Sequence, residues 1–229
     1  MIFQFTSFEE RKPLTEVERE ELLYVMDLFH EYATTHYKSY MMKHWEVLKN
    51  KYPIFKEMPD QAFPQLTTWM IYCVPAARKN KTIFQAFLER RIPTIQSSLT
   101  PYTLFMINEW QYCSPGFFYL GANDSKSNRI YDVDDIFDVE TKTVVVYKER
   151  FTPPQEGSIV TGMMLPFGDG LYTTTADFLH GLQSMCKPAA IDLISFSNYY
   201  LSYSYEQLFK EKYPNLLAIF LKHMKNTIN

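Results

Sequence analysis

The chain has 229 residues, 46% of them hydrophobic and 21% charged, with a formal net charge of −3; it can bury a substantial core and has the make-up of an ordinary globular protein. Only 7 glycines against 17% aromatic residues argue against flexible linkers and against glycine-rich loops that cradle phosphates. Three scattered cysteines, no basic leader and no apolar run of membrane-spanning length point to reduced thiols in a cytoplasm, with neither signal peptide nor membrane span.

The first element is a long helix. Thr15-Glu-Val-Glu18 has the form of a capping box, in which the threonine accepts from an early helix amide and the glutamate reaches back. From Leu22 to Leu48 apolar and aromatic side chains recur every three or four residues, a stripe that includes Phe29, Tyr37 and Trp45. The helix should cover residues 16–50 and stop before Pro53, because a residue preceding proline avoids the α region. Its length is then about 50 Å. Three shorter helices follow: one over 62–74 stopped by Pro75, one over 82–91 stopped by Pro93, and one from Thr100-Pro101 through Tyr112. In the last, threonine is the cap and proline takes the first helical position.

Between Arg129 and Thr175 the pattern changes character. Short β-branched runs appear, including Arg129-Ile-Tyr-Asp-Val, Lys142-Thr-Val-Val-Val-Tyr, Ser158-Ile-Val-Thr-Gly-Met-Met-Leu and Gly170-Leu-Tyr-Thr-Thr-Thr. Turn residues such as Pro153-Pro154 and Gly168-Asp-Gly170 separate them, so they read as strands of a small antiparallel β-barrel or curled sheet at about 115–175. Val144, Val146, Ile159, Met163 and Leu165 are expected on one inward face, and Thr143, Val145 and Tyr147 on the other. Three successive valines predict that their strand is covered on both sides. Beyond it, Thr175-Ala-Asp177 is expected to cap a helix, and Pro188 and Pro214 each to open another. The fold class is therefore α+β and mostly helical. A helical region over 1–112 precedes the barrel-like segment over 113–175, and helices over 176–229 pack back on the first region as one compact unit.

Charge is uneven along the chain. Residues 113–175 carry five basic and nine acidic side chains, which counts against nucleic acid binding there, since phosphate contacts need Lys and Arg. The dense basic patches are Arg78-Lys-Asn-Lys81 and Arg90-Arg91, each beside a helix end, where the helix dipole favours cations in any case. The acidic run from Asp132 to Glu140 lacks the Gly and Glu that a calcium loop of the EF-hand type needs at its sixth and twelfth positions. The five histidines form no His-x-x-x-His pair and stand in no zinc-ligand spacing with cysteine, so neither metal nor cofactor is expected. No nucleophile elbow, Walker loop or dinucleotide-binding glycine pattern occurs. Asp134 and Asp135 are the candidates for acid–base chemistry, should the chain be an enzyme. Trp110, Tyr112, Phe117, Phe118 and Tyr119, at the junction of helices and strands, are the candidates for an aromatic binding surface.

The run Leu99-Thr-Pro101, Glu109-Trp110, Phe117-Phe-Tyr119, Tyr131-Asp-Val-Asp-Asp, Val144-Val-Val-Tyr147, Glu156-Gly157 through Pro166 and Gly170-Leu-Tyr resembles a domain of bacterial proteins that carry the SEC-C zinc motif. In that family a helical region ending in a Trp-containing helix precedes a small barrel; the likeness covers about residues 85–180. The zinc motif itself, a Cys-x-Cys followed by Cys-Cys or Cys-His, has no counterpart, because only Cys186, His180 and His223 follow Thr175. The resemblance implies a cytoplasmic bacterial protein and no particular activity. Together these features suggest a non-catalytic protein-interaction or adaptor module with a protein partner. An enzyme with its site between barrel and helices is the alternative, and a weak nucleic acid binder a second one.

Overall fold

The computed structural model describes residues 14–77, 80–121, 129–138, 140–147, 151–168 and 170–228. Helix α1 (Glu16–Lys51) begins on the expected capping box: the Glu18 amide donates to Thr15 Oγ1 at 3.2 Å, and the Thr15 amide donates to the Glu18 carboxylate at 2.8 Å. Its apolar stripe is buried in two stretches, Leu22 to Ala33 and Met41 to Leu48. Between them Tyr37 and Tyr40 are only half-buried, so Tyr37 is less enclosed than Phe29 and Trp45. After the single turn of α2 (Ile54–Glu57), α3 (Pro59–Cys73) starts with proline at its first position, earlier than the sequence pattern predicts. Pro64 is tolerated inside it because the carbonyl deprived of a partner belongs to the exposed Asp60.

A hairpin that the sequence reading does not anticipate, β1 (Pro75–Ala77) with β2 (Lys81–Thr82), turns through Asn80, whose φ of 60° suits asparagine. Helix α4 (Ile83–Arg90) has a second capping box, Thr82 with Gln85. Helix α5 (Pro101–Glu109) is capped by Thr100 and continues as a 3-10 turn over Trp110–Tyr112. Glu21 of α1 accepts from both the amide and the hydroxyl of Thr100, at 2.9 and 3.0 Å, and so ties the start of α5 to the long helix.

Six strands follow: β3 (Pro115–Leu120), β4 (Ile130–Asp135), β5 (Thr141–Val145), β6 (Ile159–Pro166), β7 (Leu171–Thr174) and β8 (Leu179–His180). Their order is β3-β4-β5-β7-β6-β8, and β6 also pairs with β3. The sheet is curled and mixed, not antiparallel throughout. The β5–β7 seam is parallel and consists of two residue pairs, Thr143 with Leu171 and Val144 with Tyr172. Gly168 and Gly170 supply the positive φ angles, 81° and 72°, of the turn into β7; Asp169 between them lies outside the described residues.

The two faces of the curled sheet feed two cores. Phe118, Leu120, Tyr131, Val133, Val144, Val146, Val160, Met164 and Phe178 fill its interior. Ile159, Met163 and Leu165 point the other way, into the main core shared with the helices, so they do not share a face with Val144 and Val146 as the alternation suggested. The strand covered on both sides is β6, buried from Ile159 to Leu165; β5, which holds the valines, is half-exposed.

Two helices close the chain, α6 (Gln183–Ser197) and α7 (Tyr205–Ile228). Thr175 caps nothing: the chain bends at Thr175 and Ala176, runs on into β8, and α6 starts only at Gln183. Pro188 and Pro214 lie within α6 and α7 and open neither. At Pro214 the reason is visible. Its missing amide leaves the Lys210 carbonyl without a helical donor, and the Trp69 indole N–H donates to that carbonyl at 2.9 Å.

Candidate functional site

The sequence-predicted site residues do not assemble in one place. Trp110 is fully buried, its indole donating to the Pro166 carbonyl at 2.9 Å. Phe117 packs in the main core against Tyr213 and Phe220, whereas Phe118 lies in the sheet interior, because neighbouring strand residues face opposite ways. Tyr112 and Tyr119 are exposed. Asp134 is on the outer face of β4, accepting from Thr141 Oγ1 at 2.6 Å, and its neighbour Asp132 accepts from Thr143 in the same way. Asp135 is half-buried; burial raises its pKa, while the Phe137 amide and Lys142 act in the opposite direction. Adjacent on one strand, Asp134 and Asp135 are not aimed at a common substrate. Of the basic patches, Arg78 and Lys79 lie outside the described residues, Lys81 is paired with Glu89, and Arg90 and Arg91 are exposed at the end of α4. Among the described residues no three His, Cys, Asp or Glu side chains gather as a metal ion would need, and no helix is long and apolar enough to cross a membrane.

A different surface stands out, built by α6, the turn after it and α7. Helix α6 buries Met185, Cys186, Ala189 and Leu193 against the core. Ile191 and Ile194, three residues apart and therefore neighbours on the helix surface, face outward at 54% and 41% exposure. A 3-10 turn at Asn198–Tyr200 follows and presents Tyr199 and Leu201, each 84% exposed, before α7 opens with the exposed Tyr205. The turn is braced from below: Phe196 packs tilted against Tyr200, Tyr200 meets Tyr203 edge-to-face, and the Lys212 ammonium lies 5.4 Å from the Tyr200 ring and 5.7 Å from that of Tyr203.

Beside this apolar face runs a groove of about 440 Å³ between α6 and α7. Phe196, Tyr199 and Ile219 give it apolar walls, and Asp192, Lys222 and His223 line it with polar groups. His223 Nε2 and Asp192 Oδ2 meet at 2.8 Å and link the two helices across it. Apolar walls with a polar edge are the anatomy of a protein-binding groove. The sequence carries a signal for this surface: in Ile191-Asp-Leu-Ile194-Ser-Phe196 the apolar residues are too many for one buried stripe, so some must face solvent. No protein-family model, no curated protein and no solved structure matches the chain.

Proposed function

We propose that this protein is a non-catalytic interaction module of the bacterial cytoplasm that docks an amphipathic helix of a partner protein on the α6–α7 face. One observation carries the reading. Of the thirteen exposed large hydrophobic side chains among the described residues, six (Leu182, Ile191, Ile194, Tyr199, Leu201 and Tyr205) fall within 24 consecutive residues. Scattered singly, such residues need no explanation; Ile191 and Ile194, neighbours on one face of α6, and Tyr199, which also walls the groove, mark a place where apolar area awaits burial. A groove between two helices receives a third helix most readily, with apolar side chains at i, i+3, i+4 and i+7 laid into it. Three free cysteines fit a reducing compartment.

The test places a photo-crosslinking side chain at Ile194 of the full-length protein, and at the exposed Tyr24 of α1 as a control, in extract of the native organism. The expected result is an adduct from Ile194 alone, on a partner segment with a helical apolar stripe. Leu201→Asp, a surface change that should leave stability within about 0.5 kcal/mol, should cut the yield about tenfold, as loss of an interface anchor does. Equal adducts from both positions, or indifference to Leu201→Asp, would overturn the reading.

A further inference from the structure

We infer that the cleft where the end of α1, the turn of α2 and the last turns of α7 meet is a binding site for a compact dianion of the phosphate monoester class. Its volume is about 480 Å³, within the usual range for small-ligand sites. Three lysines line it from two directions, Lys51 at the end of α1 and Lys222 and Lys225 on one face of α7. One carboxylate opposes them: Glu57 of α2, which takes Lys225 at 2.8 Å. Among the described residues neither Lys51 nor Lys222 has a carboxylate within ion-pair distance; the Lys51 ammonium rests 5.1 Å from the centre of the Tyr52 ring. The cleft therefore carries a surplus of two positive charges on a chain whose formal net charge is −3.

Helix dipoles favour cations in the last turn of a helix, and that accounts for Lys51 and Lys225 taken singly, though not for Lys222. It does not account for their convergence on one concave surface with two of them unneutralised. Like charges sharing a cleft repel, so the arrangement costs free energy until an anion enters. Lysine ammonium groups serve as point charges for phosphate oxygens and need no fixed fork geometry. The wall between the lysines is apolar: Ile54, Ala218 and the ring of Tyr52, which is held in place by donation of its hydroxyl to Asn215 Oδ1 at 2.8 Å. A ligand with a doubly charged head and a small flat or apolar body matches that combination. The cleft and the α6–α7 groove share Lys222 and Asn226 in their walls, but the inference does not rest on the docking reading.

The experiment follows amide NMR shifts of the full-length protein during titration with phenyl phosphate, with sodium chloride at matched ionic strength as control. Saturable shifts confined to residues 51–57 and 218–226 are expected, with a Kd on the order of 1 mM or tighter. Lys51→Ala and Lys222→Ala, both changes of exposed side chains, should each weaken binding about threefold, as loss of one partly solvated charge contact does. Glu57→Gln should tighten it by a similar factor, because it frees Lys225 for the ligand. Shifts no different from those in chloride, a Lys51→Ala/Lys222→Ala double variant that binds like the parent, or weaker binding by Glu57→Gln would each overturn the assignment.

Discussion

Pro214 removes the amide that would close a helical bond onto the Lys210 carbonyl, and the indole of Trp69 replaces it from another helix. The pair makes a sharp prediction. Trp69→Phe keeps most of the ring but leaves that carbonyl without its donor, which should cost about 1–2 kcal/mol in urea unfolding. In a Pro214→Ala background the helix recovers its own donor, so the same Trp69→Phe change should cost clearly less. Equal costs in the two backgrounds, measured as a double-mutant cycle, would show that the indole bond does not compensate for the proline. Nothing local in the sequence announces this contact, since 141 residues separate donor and acceptor. That distance is why Pro214 reads as a helix start when the chain is taken segment by segment. Thr15 and Thr100, whose caps involve residues three positions away, were by contrast legible at once.

At the scale of elements, β6 explains both the success and the error of the sequence reading. The run from Ser158 to Leu165 was visible as a strand, as was the need for a strand covered on both sides. The three valines of β5 pointed to the wrong strand because β-branched composition reports strand formation, not which neighbours cover it. In the fold, β6 turns Ile159, Met163 and Leu165 toward the helices, and Phe117 of β3 packs against Phe209, Tyr213 and Phe220 of α7. Thr161 is fixed there too, donating to the Gly116 carbonyl at 2.7 Å and lying 3.1 Å from the Tyr213 hydroxyl. A fragment covering residues 113–182 would expose this whole face. It should remain unfolded, giving a narrow amide NMR spectrum; a dispersed spectrum would show that the sheet interior suffices by itself. The α6–α7 surface was hidden from the sequence for a related reason. Periodicity marks an apolar helix but does not say which of its faces the rest of the chain will cover, and Ile191 and Leu193 differ only in that respect.

For the whole molecule, burial of weak acids sets a limit on the alkaline side. Protein atoms enclose the thiol of Cys113 although the residue keeps some exposed surface, and burial pushes its pKa from 9.0 up to about 12. Cys73, Tyr72 and Tyr213 are shifted upward for the same reason. In each case the folded state binds its proton more tightly than the unfolded chain. The corresponding stability is intact below the unfolded pKa and is lost as pH rises toward the folded one. The urea midpoint should therefore fall steadily from about pH 9 to pH 11, and less steeply in Cys113→Ala; a flat profile over that interval would contradict the assignment. The order of the chain adds a different constraint. Trp69, Met70 and Tyr72 of α3 share their core with Leu208, Tyr213 and Leu216 of α7, the last helix described. On a ribosome adding about 5–20 residues per second, α3 is made roughly 7–30 s before the segment that shields it. Throughout that interval α3 can pack on α1, α2 and α4, but the face that meets α7 stays uncovered, which makes the nascent chain, more than the finished one, the stage at which a chaperone would matter.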